Sequence, residues 1–94
     1  KEQITLEEIA DLANMKVPSF CRYFKKITNK TFTQFVNEYR ITHSLKLLAE
    51  QPLSITEVCF ESGFNNFSYF NKTFKEYIKK SPSQYRKEFN YFME

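Results

Sequence analysis

The side chains with the clearest chemistry are cations gathered in two runs. Between Lys16 and Lys30 stand five basic residues (Lys16, Arg22, Lys25, Lys26, Lys30) and no acidic one. Between Asn65 and Lys87 stand six (Lys72, Lys75, Lys79, Lys80, Arg86, Lys87) against Glu76 alone. The stretch from Thr5 to Asn14 is acidic instead, through Glu7, Glu8 and Asp11. Net charge is only +3, so the separation of sign along the chain matters more than its sum. Two cationic segments are an electrostatic footprint for a polyanion; charge alone leaves two solvated helix faces as the alternative. Other reactive groups do not assemble. His43 has no second ligand near it in sequence, which argues against a metal site. Cys21 and Cys59 lack any Cys-x-x-Cys spacing and fit a reducing cytoplasm. Cys59 reads as a small core residue. Cys21 reads as a surface thiol rather than an oxidation sensor. No nucleophile, acid–base pair or ligand set marks an enzyme, and no cofactor or metal is expected.

The elements that must position these cations follow from composition. Ninety-four residues bound the answer to one compact domain of at most two lobes. A hydrophobic share of 41%, with 18% aromatic and mostly Phe, suffices for small cores. One glycine and three prolines leave little material for a turn-rich β fold. No apolar run reaches 18 residues, so no membrane span is expected. No signal peptide is visible, and a start at Lys1 reads as a fragment.

The organising stretch runs from Thr31 to Glu50 and predicts one long helix. Thr31-Phe-Thr-Gln34 has the capping-box form, and no Gly or Pro follows until Pro52. At about 100° per residue, Phe32, Phe35, Val36 and Tyr39 fall on one side, and Ile41, Leu45 and Leu48 on roughly the opposite side. A helix serving a single core keeps one stripe. This one changes faces midway, which predicts a helix shared by two small cores. Tyr39-Arg40 is expected to pack and pair structurally, with Glu57 or Glu61 as the partner.

Its flanks resemble each other. Leu6-Glu-Glu-Ile-Ala-Asp-Leu-Ala-Asn-Met15 matches Ile55-Thr-Glu-Val-Cys-Phe-Glu-Ser-Gly-Phe64 at an offset of 49. Phe20-Cys-Arg-Tyr-Phe-Lys-Lys26 matches the run from Phe70 to Lys75 at an offset of 50. Two copies are too few for a solenoid but suffice for a tandem motif on a spacer. In the first copy Thr5 and Glu8 form a capping box, with Ile4 placed to staple onto Ile9. Asn14-Met15-Lys16 reads as a turn. Pro18 suits the first turn of a second helix, in which Phe20, Tyr23, Phe24 and Ile27 share one face while Pro18, Arg22 and Lys25 point away. In the second copy Ser54 and Glu57 repeat the box, with Leu53 and Val58 as staple, and Gly63 supplies a left-handed turn residue. Asn65-Asn66 caps the next helix, where Phe70, Phe74, Tyr77 and Ile78 face inward and Ser68, Tyr69, Lys72 and Lys79 outward. Ser81-Pro-Ser-Gln84 begins a short last helix. Helix, short turn, and a second helix with a basic outer face is the helix-turn-helix pattern, present twice.

These residues carry a resemblance. Gly63-Phe-Asn-Asn-Phe-Ser-Tyr-Phe-Asn-Lys-Thr-Phe-Lys75, followed by Ser81-Pro-Ser-Gln-Tyr-Arg86, resembles the signature of the AraC/XylS family of bacterial transcription regulators. Phe24-Lys-Lys26, Phe32 and Tyr39-Arg-Ile41 resemble its first half. The resemblance covers nearly the whole chain. It implies an all-α DNA-binding domain of about six to seven helices, with two helix-turn-helix subdomains joined by a long linker helix. The boundaries are 1–30, 31–50 and 51–94. It also implies a further helix ahead of Ile4, here truncated to Lys1-Glu-Gln3. Asn29 and Lys79 stand where the family has glycine at the ends of the two recognition helices, and Lys79 is expected to take the left-handed cap at about 1 kcal/mol.

The resemblance implies site residues as well. Base-reading places fall on Pro18, Ser19, Cys21 and Arg22 in the first unit, and on Phe67, Ser68, Tyr69, Asn71 and Lys72 in the second. Arg22 is the strongest of these, because a guanidinium can bond guanine O6 and N7 together; a plain phosphate contact is its alternative. Lys25, Lys26, Lys72 and Lys75 are expected on phosphates, as are backbone N–H groups at the helix starts near Thr5 and Ser54. The implied partners are double-stranded DNA and RNA polymerase, with a fused effector-sensing or signalling domain outside this stretch and no membrane. The competing reading is a helical protein-interaction module in which only one unit engages DNA.

Overall fold

The computed structural model describes residues 5–93. Six helices account for almost all of them, in the order α1 (Leu6–Leu12), α2 (Val17–Thr28), α3 (Phe32–Glu50), α4 (Ile55–Glu61), α5 (Phe67–Ile78) and α6 (Pro82–Met93). No strand occurs among the described residues. The chain divides into two compact units, one ending at Asn37 and the other beginning at Glu38, so the boundary falls inside the continuous α3.

The repeat in the sequence is a repeat in structure. α1 and α4 are related by 49 residues, α2 and α5 by 50. Both short helices open with reciprocal capping boxes: Thr5 with Glu8, at 2.9 and 3.1 Å, and Ser54 with Glu57, at 2.8 and 3.0 Å. Both close with the same left-handed turn. Met15 N–H donates to Ala10 O and Asn14 N–H to Asp11 O; Phe64 N–H donates to Cys59 O and Gly63 N–H to Phe60 O. This pair of bonds is the Schellman arrangement, which satisfies carbonyls that a helix end otherwise leaves bare. Each partner is 49 residues from its counterpart, so the inserted residue lies after Met15, where Lys16 faces Asn65-Asn66. Asn66 Oδ1 accepts from Tyr69 N–H at 2.8 Å and caps α5, whereas Lys16 gives α2 no side-chain cap.

The first unit is an aromatic knot. Phe20 is buried, and its ring lies 5.8 Å from Phe24 and 5.9 Å from Phe32. Phe24 also meets Phe32 at 5.6 Å and Phe35 at 5.4 Å, both edge to face, a favoured geometry for aromatic pairs. Ala10 is the buried residue of α1, small enough for close helix approach. The inward face expected of α2 is narrower than its pattern. Tyr23 is 53% and Ile27 64% exposed, since the Phe20 and Phe24 rings fill the space available between three short segments. The predicted Ile4 staple lies outside the described residues.

The second unit holds the larger core. Ile41, Leu48, Val58, Cys59, Phe64, Phe70 and Phe74 are buried together, with Leu45, Leu53, Ile55, Ile78 and Tyr85 packed around them. Burial pushes the Cys59 thiol pKa up, consistent with a core residue. α3 therefore changes faces as its pattern requires: Phe32 and Phe35 pack in the first unit, Ile41 and Leu48 in the second. Tyr39, expected to pack, is 69% exposed, because it falls at the changeover where neither stripe is turned inward. Arg40 pairs with neither Glu57 nor Glu61; its guanidinium sits 5.8 Å over the Phe64 ring instead, a cation–π contact. Tyr77 sits at the margin of the core, 37% exposed. The last helix is not short: α6 runs 12 residues, started by Ser81 Oγ accepting from Gln84 N–H at 3.1 Å.

Candidate nucleic-acid interface

Two helices carry the sequence-predicted site, each within its own unit. On α2, Pro18, Arg22, Lys25 and Lys26 are exposed, and Ser19 and Cys21 half-buried. Arg22 Nη2 donates to Ser19 Oγ at 3.4 Å, one turn earlier, which steers the guanidinium along the helix toward its N-terminus. Lys25 and Lys26 occupy the last turn, where cations complement the carbonyl end of the helix dipole. A groove bordered by Leu6 and Phe32 is rimmed by Arg22, Lys25 and Lys26, with Thr31 and Thr33 at the start of α3. Neither the two threonines nor Leu6 stood out as site residues in sequence; Thr31 was legible only as a cap. That cap is formed: Thr31 N–H donates to Gln34 Oε1 at 2.9 Å and Gln34 N–H to Thr31 Oγ1 at 3.0 Å.

On α5, Phe67, Ser68, Tyr69, Lys72 and Lys75 are exposed, and Asn71 is half-buried. Phe70, Thr73 and Phe74 alternate with them on the buried side. Both helices end on non-glycine residues in left-handed geometry, Asn29 at φ 62° and Lys79 at φ 72°. Lys79 thus takes the cap that its position requires.

Not every cation in the second basic run remains available to a polyanion. Arg86 is half-buried and its guanidinium donates to Leu48 O at 3.1 Å and Gln51 O at 3.2 Å, and also to Leu53 O. It serves carbonyls left bare where α3 ends at Glu50 without a glycine cap. The sequence signal for this was the run Glu50-Gln-Pro-Leu53, which offers no left-handed residue to close the helix. Lys80 is paired with Glu88. That hydrogen bond, with a second from Gln84 Nε2 at 2.7 Å, lowers the Glu88 pKa below the usual carboxylate range.

Thr5 and Ser54 are exposed at the starts of α1 and α4, but their own N–H groups already donate to the carboxylates of Glu8 and Glu57. A phosphate at either place competes with a carboxylate. His43 is half-buried, and no cluster of three His, Cys, Asp or Glu side chains suited to a metal occurs among the described residues. No helix among them is long and apolar enough to cross a membrane.

Residues 9–88 match a family model described as a helix-turn-helix domain. The chain is 42% identical over 86 residues, 92% of its length, to the HTH-type transcriptional regulator YdeC of Bacillus subtilis, of which it covers 30%. It spans about 30% of the length of most of the curated relatives it matches. Among solved structures, the DNA-binding domain of the global transcriptional factor AdpA, crystallised with a target DNA, superposes with a TM-score of 0.87 at 27% identity, covering 94% of this chain and 79% of that one. A probable AraC family regulator from Rhodopseudomonas palustris shares the fold with a TM-score of 0.85 at 20% identity, covering 93% and 82%.

Proposed function

The chain belongs to the AraC-type helix-turn-helix family of transcription regulators, and from that premise we propose that it reads double-stranded DNA in a sequence-specific manner with α2 and α5. This is a family of DNA-binding domains rather than of enzymes. The observation that carries the proposal is that both second helices expose cations while burying aromatics: Arg22, Lys25 and Lys26 on α2, Lys72 and Lys75 on α5. A protein-interaction module with one unit on DNA predicts a second unit bare of such a face, so the exposed cations favour two readers. The AdpA complex with target DNA supports the same reading.

In this proposal Arg22 contacts a guanine, and Pro18, Ser19 and Cys21 line its approach to the base edges. Phe67, Ser68, Tyr69, Asn71 and Lys72 do so for the second unit. Lys25, Lys26 and Lys75 hold phosphates; Thr5 and Ser54 are the weakest of the phosphate candidates, given the carboxylates beside them. The three segments 1–30, 31–50 and 51–94 act as first reader, spacer and second reader. A 19-residue α3 is about 28 Å long, comparable to the roughly 34 Å between successive major-groove entries on one face of DNA. We further propose that the regulator containing this domain operates in the cytoplasm, carries a sensing domain and contacts RNA polymerase.

The decisive measurement is selection of a preferred site followed by footprinting with stoichiometry. One chain is expected to protect about two turns of a non-palindromic site, because the two readers differ at every paired position from Pro18/Ser68 to Arg22/Lys72 except the shared Phe20/Phe70. A palindromic site occupied only by two chains overturns the tandem-reader model.

A further inference from the structure

The first turn of α5 differs from that of α2 in a way that charge does not explain. Position by position, Phe67 and Tyr69 stand where α2 has Val17 and Ser19. Two aromatic rings are thus placed at the exposed start of a cationic helix, Phe67 38% and Tyr69 44% exposed. Both are braced from beneath. The Phe67 ring lies 6.3 Å from that of Phe70, which is fully buried, and the Tyr69 ring 6.1 Å from that of Phe64. The Asn66 cap holds the same turn through Tyr69 N–H. Rings held this way protrude at little further entropic cost on binding, the usual advantage of a rigid aromatic contact.

The N-terminal residues of a recognition helix are the ones that reach base edges. There the major groove offers one apolar group, the C5-methyl of thymine, and a Phe ring is among its natural contacts. The neighbouring Asn71, one turn further on, has the amide that pairs with adenine N6 and N7. We propose that Phe67 is a specificity-determining residue that recognises a thymine methyl, making the second unit a reader of A·T pairs where the first reads guanine through Arg22. This rests on the DNA-reading role given above and adds which base the second unit selects and by what force. A methyl contact is non-directional, so it tolerates small shifts of the helix in the groove and yet rejects cytosine, which lacks the group.

The test needs no variant to begin. On a duplex selected by the chain, each thymine of the second half-site is replaced in turn by deoxyuridine, which keeps every hydrogen-bonding group and removes only the methyl. One or two positions are expected to weaken binding about three- to fivefold, the size of one methyl removed from water. In the Phe67→Ala variant those positions are expected to bind thymine and deoxyuridine alike, while Phe67→Leu retains part of the difference and Arg22→Ala all of it. Indifference of the wild-type chain to deoxyuridine throughout, or an unchanged ratio in Phe67→Ala, overturns the proposal and leaves DNA reading intact. Failure to select any sequence overturns the DNA-reading role itself.

Discussion

Four of the described residues have positive φ, and their identities follow from how far each is pushed. Asn14, Asn29 and Lys79 lie at 60°, 62° and 72°, inside the left-handed well that Asn enters readily and Lys at modest cost. Gly63 lies at 103°, beyond that well, and a Cβ built there falls 3.1 Å from Arg40 Nε. The Arg40 side chain crosses the turn to stack on Phe64, so it occupies the space a larger residue would need. Gly63→Ala is therefore expected to destabilise the chain by about 1–3 kcal/mol, read as a lower midpoint of urea unfolding, with Asn14→Ala costing less. Arg22 poses a functional question at the same scale. Arg22→Ala is expected to cost about 1–3 kcal/mol of binding and to relax preference at one base pair. Competition with a panel of single-substituted duplexes checks this, and equal weakening on all of them reassigns Arg22 to a phosphate.

Among the elements, α6 shows how a helix is tied down by polar and apolar contacts at its first turns. Arg86 joins it to carbonyls in the last turn of α3 and just beyond it, Pro82 is buried at its start, and Tyr85 packs edge to face on Phe74 at 6.0 Å. Beyond that it becomes exposed: Tyr91 and Phe92 are 74% and 80% accessible. Glu88 fastens the same helix to Lys80. Because its folded-state pKa is lowered, the stabilisation it provides is present above the ordinary carboxylate pKa and is lost as pH falls through the lowered value. Glu88→Gln is expected to lower stability above pH ~5 and to leave it little changed at the acid end, where the wild-type carboxyl is already protonated, so that the acid limb flattens. Thermal melts between pH ~3 and ~7 measure this; an unaltered acid limb means that the Lys80–Glu88 pair does not persist in solution.

At the scale of the whole molecule, the count of cations reaching DNA decides how binding responds to salt. Lys80 and Arg86 are engaged inside the second unit, which leaves at most nine of the eleven residues in the two basic runs. With roughly 4–7 of them on phosphates, the slope of log K against log salt is expected to be about −4 to −6. Titrations of a selected site at several salt concentrations test it, and a slope near zero removes the electrostatic basis of the proposal. Removing Lys25 or Lys75 is expected to shallow the slope by about one, whereas Lys80→Ala leaves it unchanged.

Much of this was local and therefore written in the order of residues. The Thr5, Thr31 and Ser54 boxes, the Asn66 cap and the turns at Asn14 and Gly63 all depend on contacts within about five residues. Short-range geometry leaves a periodic trace in sequence, and a 49-residue repeat writes that trace twice. What the tertiary structure decided were contacts between residues tens of positions apart, which have no period. Periodicity puts Tyr23, Ile27 and Tyr39 on apolar faces, but only packing determines how many rings a small core can hold, and these three remain at the surface. Charge counting puts Arg86 with the DNA-facing cations, and only the fold brings it to carbonyls 33 to 38 residues away. Arg40 likewise looked destined for a carboxylate and found the face of Phe64. A guanidinium can bond carbonyl, carboxylate or phosphate and can stack on a ring, so its type names the possible partners and only the assembled chain selects among them.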